Sequence, residues 1–180
     1  MEKKHQLNTN RDFWHDFAED TIPDYIAYTD GSCNNLSPYG EGGSAYVLCE
    51  DKCGCLDPVL SNSKGFLYTT NNRMEMLAII SVLLHVPAGN SVEVRTDNQY
   101  CIRIANFTPP FGLIANKDLV EMLYNAMQGK SVHITWVKGH SGEELNELCD
   151  QLANERMLEQ REKYNIPVYS TRYRNYKTQK

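Results

Sequence analysis

The sequence predicts an α/β fold: a five-stranded mixed sheet, three strands antiparallel and two parallel, flanked by helices. Two observations carry the prediction. Between residues 25 and 70 apolar and polar residues alternate, and turn residues punctuate the runs, as in a hairpin meander. From residue 71 to residue 160, runs with apolar residues at helical spacing alternate with short β-rich runs, an order that joins strands in parallel through crossovers. No internal repeat interrupts this plan.

The first strand is predicted over Tyr25–Asp30, where alternation runs into Asp30-Gly31-Ser32. A glycine-bearing loop, Asn34–Gly43, leads to a second strand at Ser44–Cys49, a turn at Asp51–Cys55 and a third strand at Val59–Thr69. Asn71 and Asn72 offer an N-cap to a helix over Arg73–His85, in which Met74, Leu77, Ile80 and Leu84 share a face. Pro87-Ala-Gly-Asn90 stops it. Ser91–Thr96 alternates like a strand, and a short helix over Asn98–Asn106 ends before Thr108-Pro109-Pro110. A helix over Asp118–Met127, a strand over Val132–Val137, a loop at Gly139-His140-Ser141-Gly142 and a long helix over Glu143–Gln160 complete the series. The expected organisation is an N-terminal extension (1–24) that docks through Phe13, Trp14 and Phe17, one domain (25–162), and a basic, tyrosine-rich tail (163–180).

Composition narrows the function. With 41% hydrophobic and 23% charged residues, the 180-residue chain is neither a disordered polymer, a collagen-like repeat nor a coiled coil. No apolar run approaches the roughly 20 residues that span a bilayer, and the start, Met1-Glu2-Lys3-Lys4-His5-Gln6, lacks a secretory pattern. The chain is therefore expected to act in the cytoplasm, away from membranes, with reduced cysteines. Cys49, Cys53 and Cys55 are the one cysteine cluster; without a histidine beside them they read as a turn and its flanks rather than a zinc site. Net charge is −5, but the tail carries five cations and no acid. Residues 1–162 therefore set thirteen cations against twenty-three acids, a net of −10. So acidic a body does not hold nucleic acid by bulk charge, and action on phosphates requires metal ions.

Four acids stand where such ions would be held. Asp30 ends the first strand, Glu75 opens the first helix, Asp97 ends the fourth strand and Asp150 lies in the last helix. Singly, each has an ordinary reading: a turn, a dipole partner, a helix cap, a solvated face. Together, strand-terminal acids on neighbouring strands meet at the sheet edge where open α/β sheets bind ligands. Carboxylates so gathered repel by several kcal/mol unless cations neutralise them. Magnesium, a hard ion that takes oxygen ligands and substrate phosphate, meets that need. Two such ions about 4 Å apart can activate water and stabilise a leaving oxygen.

Five segments in order, Tyr28-Thr-Asp-Gly-Ser-Cys33, Thr70-Asn-Asn-Arg-Met-Glu-Met-Leu-Ala78, Thr96-Asp-Asn-Gln-Tyr100, Trp136-Val-Lys-Gly-His-Ser-Gly142 and Asn146-Glu-Leu-Cys-Asp-Gln-Leu-Ala153, resemble type 1 ribonuclease H. The resemblance covers about residues 25–160 and implies the ribonuclease H-like fold. It implies hydrolysis of the RNA strand of an RNA/DNA hybrid, leaving 5′-phosphate and 3′-hydroxyl ends, with two Mg2+ ions bound alongside substrate and Mn2+ as a substitute. It makes Asp30, Glu75, Asp97 and Asp150 metal ligands and His140 an aid to proton transfer or product release. It places Gly31, Ser32, Thr70, Asn71, Asn72 and Gln99 against the substrate, Thr70 at a DNA phosphate and the three amides in the minor groove. Amides suit that task, since a 2′-hydroxyl both donates and accepts. In one respect the chain departs from many members: only Cys101–Lys117, with Arg103 and Lys117 as its basic residues, stands where they carry a basic, tryptophan-containing handle, as in retroviral ribonuclease H domains.

The expected protein is thus a monomeric hybrid endonuclease. The alternatives are a ribonuclease H domain within a larger replicative or reverse-transcribing assembly and a catalytically silent hybrid-binding module. A pure binder has no use for a repulsive acidic cluster. The tail's interleaved cations and tyrosines suit a nucleic-acid backbone and unstacked bases.

Overall fold

A computed structural model describes residues 22–52, 55–106, 115–139 and 142–169. Strands β1 (Tyr25–Cys33), β2 (Gly42–Lys52) and β3 (Cys55–Phe66) form an antiparallel meander. Strands β4 (Ser91–Thr96) and β5 (Ser131–Trp136) extend it in parallel from β1, giving the order β3-β2-β1-β4-β5. Four helices accompany the sheet: α1 (Asn71–Leu83), α2 (Gln99–Asn106), α3 (Lys117–Met127) and α4 (Glu144–Lys163). The mixed sheet matches the architecture expected from the order of elements. Among the described residues no helix is long and apolar enough to cross a membrane.

The central strands are apolar on both faces because helices cover both. In β1, Ala27 belongs to the larger core with Met76, Ile79 and Leu83 of α1 and Val120 and Leu123 of α3. Its neighbours Ile26 and Tyr28 point the other way, packing with Val47, Cys49 and, from α4, Cys149 and Leu145. Strand β2 repeats the alternation, Tyr46 and Leu48 facing the first core, Val47 and Cys49 the second. A fully buried aliphatic side chain such as Ile79 contributes roughly 1.5–3 kcal/mol. Helix α4 lies directly on β2: a Cβ on Gly43 would come within 2.0 Å of the Ala153 carbonyl oxygen.

Several boundaries differ from expectation. Strand β3 starts at Cys55, because β2 runs on to Lys52 and pairs with it; an irregularity between Leu48 and Cys49 of β2 takes up the mismatch. Pro58 is tolerated in β3 because that strand lies at the sheet edge. Helix α1 begins at Asn71, so Thr70, not Asn71 or Asn72, is its N-cap. The Thr70 carbonyl accepts from the N–H groups of Arg73 and Met74, at 3.0 and 3.1 Å. The Asn71 N–H donates to Asn35 Oδ1 at 3.3 Å, and its side-chain amide turns along the helix to Glu75. Phe13, Trp14 and Phe17, and the tail beyond Tyr169, lie outside the described residues.

Candidate active site

Sheet topology brings the acids together. Strands β1 and β4 are parallel with Tyr28 beside Arg95, and two residues further along the same register come Asp30 and Asp97. There β4 ends while β1 continues to Cys33 alongside β2, leaving a notch at the C-terminal edge of the parallel strands. Glu75 enters from α1. Its approach depends on Gly31, where an added Cβ would sit 2.2 Å from the Glu75 backbone nitrogen and 2.6 Å from the Met74 carbonyl carbon. Oxygen atoms of Asp30, Glu75 and Asp97 all lie within 4.8 Å of one another. Asp150 of α4 lines the same cleft, whose volume is about 530 Å³. After β5 the chain runs close to Asp97: a Cβ on Gly139 would meet Asp97 Oδ2 at 2.3 Å, so that carboxylate would have to shift.

The cluster is electrostatically strained. Burial, then the charges of Asp97 and Asp150, push the Asp30 carboxyl up to about 7, against a 2.7 Å hydrogen bond from the Gly31 N–H that favours its anion. Glu75 is 3% exposed, and burial followed by Asp30 and Asp97 holds it well above the usual carboxylate range. Its Oε1 accepts from Asn71 Nδ2 at 3.3 Å, whereas buried Oε2 has no hydrogen-bond partner among the described residues. A buried orphan oxygen among mutually repelling carboxylates fits a divalent cation: the donors are hard oxygens, and one positive ion relieves both penalties. Asp150 is held separately. Its Oδ1 accepts from Asn154 Nδ2 at 2.7 Å, and Asn154 Oδ1 accepts from Ser32 Oγ at 2.6 Å.

Of the residues expected to meet substrate, Gly31, Ser32, Asn71, Asn72 and Gln99 line the cleft with the four acids. Ser32 is engaged with α4 through Asn154, and Asn72 Oδ1 accepts from Asn98 Nδ2 at 3.3 Å. Thr70 stands exposed at the start of α1, outside the cleft lining. His140 lies outside the described residues. Sequence reasoning missed Asn98, Tyr100, Arg103 and Asn146, which also line the cleft, and Asn154 behind it. Asn98 caps α2, its Oδ1 accepting from the N–H groups of Tyr100 and Cys101 at 2.9 and 3.1 Å. Asn146 is 4% exposed, with Oδ1 unpartnered among the described residues. The signal for three of these was helical spacing: Asn146 and Asn154 flank Asp150 at four residues on either side, and Arg103 follows Gln99 by four.

Comparison with known proteins gives a consistent picture. The family described as RNase H matches residues 23–157. The Ribonuclease H of Psychromonas ingrahamii is 41% identical over 138 residues, 70% of this chain and 85% of that protein. That of Actinobacillus pleuropneumoniae is 38% identical over 141 residues, 70% of this chain and 85% of its own. The Ribonuclease H of Nitratidesulfovibrio vulgaris is 38% identical over 145 residues, covering 74% of this chain and 88% of that one. In fold, the chain is similar to the crystal structure of LC9-RNase H1, a type 1 RNase H with the type 2 active-site motif. That likeness has a TM-score of 0.62 at 24% identity and covers 75% of this chain and 72% of that one.

Proposed function

The chain belongs to the ribonuclease H family, and from that premise we propose that it is a metal-dependent endonuclease hydrolysing the RNA strand of RNA/DNA hybrids. The products are 5′-phosphate and 3′-hydroxyl ends. The observation that carries the reading is the meeting of three carboxylates within 4.8 Å, one with a buried, unpartnered oxygen. Asp30 and Asp97 would be shared between two Mg2+ ions, Glu75 holding one and Asp150 the other, with Mn2+ as a substitute. Ions so held supply Lewis-acid activation of water and neutralise charge on the leaving oxygen.

The protein's own groups set the geometry. The Gly31 N–H fixes one Asp30 oxygen, Asn71 fixes one Glu75 oxygen, and Asn154 fixes one of Asp150. Asn71, Asn72 and Gln99 line the wall where amides address 2′-hydroxyls from the minor groove, which distinguishes RNA from DNA without adding charge. Thr70, at the mouth of that wall, takes a phosphate of the DNA strand. His140, next in sequence after Gly139, moves a proton or speeds product release, a role suited to a side chain that ordinarily titrates near neutrality. The reading is tested with Asp97→Asn: cleavage of a labelled hybrid in magnesium should be abolished while hybrid binding persists. Turnover close to that of the unaltered chain would overturn it.

A further inference from the structure

Helix α4 carries an asparagine in its interior at residue 154, where the side chain's competition for backbone groups makes it a poor helix former. What occupies that side chain is a hydrogen-bonded series that leaves the helix. Asn154 Nδ2 donates to Oδ1 of Asp150, one turn earlier, at 2.7 Å, and Asn154 Oδ1 accepts from Ser32 Oγ at 2.6 Å. All three residues are half-buried. The direction of the series is fixed by its ends: a carboxylate only accepts, so the amide nitrogen faces Asp150 and the amide oxygen is left for a hydroxyl that donates. Ser32 Oγ also lies 3.5 Å from Sδ of Met157, so it meets α4 on two successive turns.

Ser32 ties this series to the strand that carries Asp30. It stands two residues beyond Asp30 on β1, and residues two apart on a strand share a face. Ile26 and Tyr28, on the same alternation, pack with Leu145 and Cys149 of α4. One strand face thus supplies both the Asp30 carboxylate and the hydroxyl that holds the partner of Asp150. The two elements are kept close: Gly43 of β2, paired with Ser32, lacks the Cβ that would meet the Ala153 carbonyl oxygen, next in α4 to Asn154. Ser32 and Asp150 line the cleft, whereas Asn154 stands behind it.

We propose that Asn154 is a positioning residue: anchored on Ser32 of β1, it fixes the orientation of the Asp150 carboxylate and its spacing from Asp30, and so sets the affinity of the cleft for divalent metal. The inference rests on the proposed metal site. A carboxylate held less firmly must be ordered by the ion itself, which weakens binding. Loss of such an outer partner typically costs about 10- to 100-fold in metal affinity or activity.

The test uses the full chain. In substrate-free protein, magnesium is titrated while the melting temperature is followed. The midpoint for Asn154→Ala is expected at about 10-fold higher magnesium than for the unaltered chain. Asn154→Gln, which keeps the amide, should recover part of that shift, and Asn154→Leu, which fills the space without a polar group, should not. These two variants carry the same comparison if removing the side chain impairs folding. Ser32→Ala should move the midpoint in the same direction, and combined with Asn154→Ala no further than Asn154→Ala alone, because both act through one series. With labelled hybrid, Asn154→Ala should lower kcat more than it raises KM, since the amide does not face the substrate. Absence of any magnesium-dependent rise in the unaltered chain overturns the metal site and the positioning role together. A rise in the unaltered chain with the same midpoint in Asn154→Ala, additive shifts in the double variant, or an Asn154→Gln midpoint no better than that of Asn154→Leu overturns the positioning role alone.

Discussion

Removing one charge from the acidic cluster should stabilise the metal-free protein even as it destroys the site. Asp30 is pushed up to about 7 from 3.8, so between those values the folded chain binds a proton that the unfolded chain has released. Stability therefore falls as pH rises through that window and is lowest above it. At 1.36 kcal/mol per unit the full penalty is about 4 kcal/mol. Asp30→Asn escapes it, but the buried amide keeps a desolvation cost of its own, so the expected gain is about 1–3 kcal/mol near pH 8. For a chain of this size that is a rise of roughly 3–10 °C in melting temperature. The gain should shrink towards zero below about pH 3, where Asp30 is protonated in both states. It should also shrink on adding magnesium, if the unaltered folded protein binds the ion as proposed and is stabilised by mass action. Thermal melts of both proteins in chelator and in magnesium, across this pH range, check all three effects. A variant that melts no higher than the unaltered chain near pH 8 in chelator would refute the claim that burial and the neighbouring carboxylates together penalise the Asp30 anion.

Gly31→Ala should cost about 3 kcal/mol or more and weaken the magnesium-induced rise in melting temperature, because its methyl group meets the backbone of Glu75 rather than a movable side chain; thermal melts with and without magnesium measure both. His140→Ala should lower kcat by about 100- to 10,000-fold without abolishing cleavage, since the proposed metal ions would still activate water without it; the comparison with Asp97→Asn across pH separates the two roles.

Asp30 and Asp97 were legible as a pair because strand order alone fixes which strand ends are neighbours. Asp-Gly at the first strand and Thr-Asp at the fourth needed only the parallel pairing of β1 with β4 to be brought together. Glu75 followed from its place near the start of a helix that must pack on that sheet. What escaped depends on contacts between elements far apart in the chain. The Ser32–Asn154 hydrogen bond spans 122 positions, and periodicity within α4 shows that Asn154 shares a face with Asp150, not that β1 supplies its partner. The start of α1 was misplaced for the same reason: Asn71 and Asn72 have the chemistry of caps, but Asn35 and Glu75 take up the groups of Asn71 that capping would use. The Schellman turn at Asn165, which ends α4, lacks the glycine that usually marks one, so the sequence does not show that the turn brings Tyr169 against Tyr39.

The central claim is that the acidic cleft, loaded with divalent metal, cuts RNA only when it is paired with DNA. The direct measurement is side-by-side incubation of the purified chain with end-labelled RNA/DNA hybrid, RNA duplex and DNA duplex, in magnesium, manganese or chelator. The account predicts cleavage of the RNA strand of the hybrid in magnesium and in manganese, no cut in either duplex, and no reaction in chelator. Equal cutting of the RNA duplex, or hybrid cleavage that survives the chelator, would contradict it.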